Sequence, residues 1–130
     1  MTQKRMEPDW EWIKKLGFAP AIRTGDTIHT CGMIAYGPDG NLVGEGDCYA
    51  QSLQVYRNIR DVLALEGATM RDVVKTTTYL PDMSHYKAFA RARSETFPDG
   101  IPCSTTVGSA LVLPTLLVEI EAIAIIGSGA

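Results

Sequence analysis

Two stretches hold the groups best able to do chemistry: Pro102-Cys103-Ser104-Thr105-Thr106-Val107, and Val118-Glu119-Ile120-Glu121-Ala122-Ile123-Ala124. The first sets hydroxyls and a thiol behind a proline; the second sets two carboxylates two residues apart inside an apolar run. Side chains in a strand repeat with period two, so Ser104 shares a face with Thr106, and Glu119 with Glu121. If the two strands pair, acids and hydroxyls meet in partly apolar surroundings. Desolvation there raises the proton affinity of a carboxylate and suits Glu119 to move protons near neutrality.

Other chemistries find less support. Neither Ser104 nor Thr106 has an adjacent histidine to make it a nucleophile. His29 and His85 are the only histidines and lack metal-site spacing, so no metal is expected. Cys31, Cys48 and Cys103 are widely spaced without a CxxC pair, which fits free thiols in a reducing compartment. A net charge of -3 speaks against a nucleic-acid surface. No run approaches the ~20 apolar residues of a membrane helix. The charged N-terminus, with Lys4, Arg5, Glu7, Asp9 and Glu11, lacks the apolar core of a signal peptide. A cytoplasmic, soluble protein with neither membrane nor nucleic-acid partner is the expectation.

A chain of 130 residues forms one domain and buries roughly two-thirds of its unfolded surface. Residues 1–17 read as an N-terminal extension with a short helix, Asp9 to Leu16, that Pro8 opens and Gly17 ends. Gly25-Asp26 links two β-prone runs, Ala21 to Thr24 and Thr27 to Met33, as a hairpin. Asn41 to Gly44 reads as a third short strand. Asp47 is a natural N-cap for a helix over Cys48 to Glu66, with Val55, Tyr56, Ile59, Val62 and Leu63 as its buried stripe. Val73 to Leu80 reads as a central strand. A second helix, Met83 to Thr96, buries Tyr86, Phe89, Ala90 and Phe97, and two strands close the chain, Cys103 to Val112 and Leu116 to Ile126. This order predicts an α+β fold, a mixed sheet covered on one face by two helices. Thr76, Thr78, Ser104, Thr106, Leu117 and Ile123 are assigned to the opposite face, whose mixed character calls for an oligomer to cover it.

From about Gly17 to Ile126 the chain resembles the RidA/YjgF reactive-intermediate deaminase family. The residues that carry the resemblance are Gly25, Gly32, Gln51, Asn58-Ile59, Gly67-Ala68, Asp72-Val73-Val74-Lys75-Thr76-Thr77, Asp82-Met83, Pro102, Val107 and above all Val118 to Ala124. The resemblance implies a chorismate-mutase-like single domain over 18–130, a homotrimer with small-molecule clefts between subunits, and hydrolysis of enamines and imines without metal or cofactor. It makes Glu119 the residue that positions the attacking water and gives Gly32 a backbone carbonyl role. In the family an arginine two residues after the proline grips the substrate carboxylate through a bidentate fork. Ser104 stands at that position here, Thr106 stands where cysteine is common, Phe18 stands for a tyrosine, and Ala90 stands for an asparagine.

The expected catalytic residues are therefore Glu119 and Gly32, and the expected substrate-binding residues are Ser104, Thr106, Phe18 and Cys103. The Cys103 side chain alternates away from Ser104, which directs it toward the helices as a small apolar group. Glu121 is given a structural role. Arg23, Arg91 and Arg93 are the guanidinium groups that could replace the missing one from a neighbouring subunit. The reading is a Rid-type hydrolase, or deaminase, with altered specificity. Its alternatives are a non-catalytic trimer that binds a small molecule or partner, or the same fold recruited to a lyase, isomerase or addition step. Ribonuclease activity, sometimes attached to this family, finds no support in the charge or in paired histidines.

Overall fold

The computed structural model describes residues 2–130. Asp47 opens helix α1 (Cys48–Ala64) by accepting the amide of Ala50 at 3.0 Å. Gly67 leads the chain away beyond it at φ +75°, a left-handed value that suits glycine. Val55, Ile59, Val62 and Leu63 repeat at helical spacing and are fully buried, with Tyr56 and Phe97 edge to face beside them. Helix α2 (Tyr86–Thr96) follows a 3-10 turn at Met83–His85, whose Ser84 amide is capped by the Asp82 side chain. It packs along α1 and buries Phe89 and Ala92.

Six strands form one sheet: β1 (Gln3–Met6), β2 (Ala21–Thr24), β3 (Thr27–Thr30), β4 (Val73–Leu80), β5 (Cys103–Gly108) and β6 (Glu119–Ile125). Their order is β1-β2-β3-β6-β4-β5. Only the β4–β5 pair is parallel, because α2 carries the chain back across the sheet between them. The α+β architecture is as expected, a mixed sheet with both helices on one face. On that face Thr76, Thr78 and Leu80 of β4 lie buried with Ile120, Ala122 and Ala124 of β6. On the opposite, open face stand Lys75, Thr77 and Tyr79 with Ile123, Glu121 and Glu119.

Several expectations change. The closing strands β5 and β6 do not pair; both pair with β4, which lies between them. Residues 109–118 form an excursion rather than a tight turn, so strands adjacent in sequence are separated in the sheet. Both strands are also shorter than expected. Thr76 and Thr78, assigned to the open face, belong to the helix-covered core. The Asn41 to Gly44 strand is reduced to an isolated bridge between Tyr36 and Leu42.

The N-terminal helix is absent. A single 3-10 turn at Ile13–Lys15 stands in its place, and residues ahead of it form β1, paired to β2. A short helix has too few internal bonds to hold itself, whereas an edge strand satisfies its backbone against β2. Trp10 packs into the core with Met6 and Ile13 and stacks on Trp12 at 5.6 Å between ring centres. Met6, Trp10 and Ile13 thus share the core of the domain, with Trp12 and Leu16 packed against it.

Three buried amides hold the loops that lead into the site. Asn58 donates to Ile34 O at 2.9 Å and Tyr36 O at 2.8 Å. Gln51 donates to Thr115 O and accepts the amide of Leu117 at 2.9 Å, fixing the entry to β6. Gln54 donates to Asn58 Oδ1 at 2.9 Å. These groups have no water to fall back on, so each bond is costly to break.

Candidate functional site

The backbone of Met33 exchanges two hydrogen bonds with Ile120, donating to it at 2.8 Å and accepting from it at 3.1 Å. That bridge brings Gly32 against the first residue of β6. A methyl group at Gly32 would overlap Glu119 Oε2 and approach Cδ to 2.8 Å and Cγ to 3.1 Å. The glutamate carboxyl therefore lies directly on the glycine, in space only a residue without a side chain leaves free. Burial, and then the charge of Glu121, raise the proton affinity of Glu119 above that of an ordinary glutamate.

Around it, Tyr79 lies opposite Glu119 in the β4–β6 register and donates its hydroxyl to Glu121 Oε1. That bond, more than desolvation, holds the phenol proton more tightly than usual. The Cys31 thiol donates to Gly32 O at 3.6 Å. Burial first, then the two carboxylates, push it up to about 11, so it remains a neutral thiol and a poor nucleophile. Tyr79 and Cys31 were not among the sequence-derived candidates. The register that faces Tyr79 toward β6 exists only once β4 is known to be its neighbour.

The other candidates lie elsewhere. Ser104 and Thr106 pair with Thr76 and Thr78, which puts them on the helix side of the sheet and not beside Glu119. Arg93 of α2 donates through Nη1 to Ser104 Oγ at 3.2 Å and through Nη2 to Tyr86 Oη at 3.1 Å. Cys103 has the reverse of its expected facing: it is exposed on the open face in line with Lys75, while Lys75 Nζ donates to Thr105 Oγ1 at 2.6 Å. Phe18, 56% exposed, stands with Leu16 and Pro20 beside the N-terminal segment. Among the described residues, no cluster of three or more histidine, cysteine or acidic side chains could hold a metal.

One chain thus presents two separate clusters of polar groups. Glu119, Gly32, Glu121 and Tyr79 form one on the open face; Ser104, Thr106, Arg93 and Tyr86 form the other where α2 meets the edge strand β5. The sheet separates them.

A family model described as Endoribonuclease L-PSP matches residues 13–126. The chain belongs to the RidA/YjgF family. It is 33% identical to a RutC family protein of Pyrococcus abyssi, over 82% of this chain and 84% of that one. Among solved structures, it is similar to a YjgF/YER057c/UK114 family member from Mycobacterium tuberculosis, at 29% identity and a TM-score of 0.82, covering 96% of this chain and all of that one. A conserved Rid family protein of Yersinia pestis matches at 29% identity and a TM-score of 0.87, with coverage of 96% and 100%.

Proposed function

We propose that the chain is a hydrolase of enamines or imines whose site is completed between the subunits of a homotrimer. The observation that carries this reading is the Glu119 carboxylate, seated on Gly32 with raised proton affinity. Such a group takes a proton from water near neutral pH and passes it on. The water oxygen bonds to the imine carbon as its proton moves to Glu119, and the carbon–nitrogen π pair collects on nitrogen. Glu119 then returns the proton to that nitrogen. Glu119 then takes the hydroxyl proton and delivers it to the nitrogen as the carbon–nitrogen bond breaks, giving a carbonyl compound and ammonia. The Gly32 carbonyl accepts from the amino group and orients it for departure.

Topology supports the inter-subunit arrangement. Ser104 holds the position of the family's carboxylate-gripping arginine, yet it lies on the other side of the sheet from Glu119. A cleft between two copies of the chain would let one substrate touch both strands. The open face, with Ile123, Ile125 and Val107 beside the acids, supplies apolar surface for such contact.

The test is ammonia release from a panel of imines generated in situ, with Glu119→Gln as the variant. Loss of turnover by the variant supports the reading; unchanged turnover removes Glu119 from water activation. Light scattering is expected to give three times the 14.1 kDa chain mass. A second reading, a trimer that binds a ligand without chemistry, is favoured by the serine at the arginine position. Hydrolysis above background that Glu119→Gln abolishes would rule it out.

A further inference from the structure

Among the described residues, Arg93 is the one half-buried guanidinium that faces no carboxylate. Five of the other six arginines, Arg5, Arg23, Arg60, Arg71 and Arg91, have an acidic partner, and Arg57 is exposed to water. Among the described residues, Arg93 has only the hydroxyls of Ser104 and Tyr86. Its guanidinium carbon lies 5.2 Å from the centre of the Phe89 ring and 5.7 Å from that of Tyr86. Its Nε is buried and unpartnered, and its two Nη groups carry the hydroxyl contacts. A half-buried cation without a counter-charge has donors and charge to offer an anion.

The proton inventory sharpens this. Each Nη carries two hydrogens and uses one on a hydroxyl, leaving one free donor on each nitrogen. Ser104 Oγ and Tyr86 Oη accept from the guanidinium, so their own protons are free to be donated elsewhere. Donor capacity therefore remains on Arg93, Ser104 and Tyr86 together, beside residue 104, the position where the family keeps its arginine. The positive charge reaches that point from α2 instead of β5.

We propose that Arg93, steadied by Ser104 and Tyr86, is the anion-binding group of the site and takes the substrate's carboxylate. The choice of a carboxylate-bearing imine rests on the hydrolase reading; binding of the anion does not. Serine at position 104 then makes room for the incoming guanidinium.

The experiment is a titration of the whole protein with pyruvate at low salt, followed by calorimetry and by the Arg93 Nε–Hε signal. Pyruvamide serves as the uncharged control. Arg93→Met is expected to weaken pyruvate binding about tenfold or more, since it removes two charged hydrogen bonds, while leaving pyruvamide binding unchanged. Arg93→Lys, which keeps charge but loses the fork, falls between. No pyruvate binding by the unaltered protein, equal binding of pyruvamide, or undiminished binding by Arg93→Met overturns the proposal. If Arg93→Met does not fold, the Nε–Hε signal decides: a shift with pyruvate supports the assignment, and no shift refutes it. Pyruvate binding that depends on Arg93 without imine turnover would leave this site standing and the hydrolase reading fallen. Turnover of a carboxylate-bearing imine whose KM ignores Arg93 would do the reverse.

Discussion

Gly32→Ala tests whether the placement of the Glu119 carboxyl matters to chemistry. The new methyl carbon would lie 2.8 Å from Glu119 Cδ. Carbon atoms in contact prefer ~3.5–4.0 Å, so the carboxyl must retreat by about 0.7–1.2 Å. A displacement of ~1 Å at a reacting group costs on the order of 100-fold in rate. The fold should tolerate the change, because the clash is with the end of a flexible side chain and not with backbone. Moving Glu119 off its rotamer costs about 0.5–1.5 kcal/mol, or a Tm loss of about 2–6 °C. Imine turnover and thermal melting would be measured together. Glu119→Gln supplies the second leg of a cycle: with the carboxylate already gone, adding Gly32→Ala should reduce turnover no further. Turnover by Gly32→Ala within about threefold of the unaltered protein, or additive losses in the double variant, would refute the reasoning.

Three further outcomes are expected. Glu119 binds its proton more tightly in the folded chain than in the unfolded one, so its ionisation opposes folding: stability is full below the ordinary glutamate value and declines as pH rises through the raised one. Glu119→Gln should therefore raise the Tm at pH 7 and lose that advantage toward pH 4, while any imine turnover by the unaltered protein falls as acid protonates Glu119; melting curves and a pH–rate profile across pH 4–8 would check both. Ser104→Arg alone should gain little 2-aminoacrylate hydrolysis because it sets a second guanidinium against Arg93, whereas Ser104→Arg with Arg93→Phe should gain more, measured as ammonia release from both variants. Asn58→Ala strands two part-buried carbonyls and should destabilise the fold by about 2–6 kcal/mol in urea unfolding, at about 1–3 kcal/mol per unpaired group.

Much of the architecture is legible in local pattern. The stripe Val55, Ile59, Val62, Leu63 and the cap Asp47 fix α1 to within two residues of its expected end, because helix periodicity and capping are local. The run of β-branched residues in β4 and the carboxylate pair of β6 likewise declare strands. Sequence by itself also determines that Glu119 and Glu121 share one face and Ser104 and Thr106 another, since alternation is a property of the strand alone.

Which of those faces coincide is decided by the tertiary structure. Inserting β4 between β5 and β6 turns Ser104 toward α2 and Cys103 to the open face, because a helical crossover makes β4 and β5 parallel neighbours and fixes their register. The seat of Glu119 on Gly32 and the reach of Arg93 to Ser104 join residues far apart in the chain, and no periodicity encodes either. The residue types were visible from the start; their meeting depends on how the strands are ordered in space.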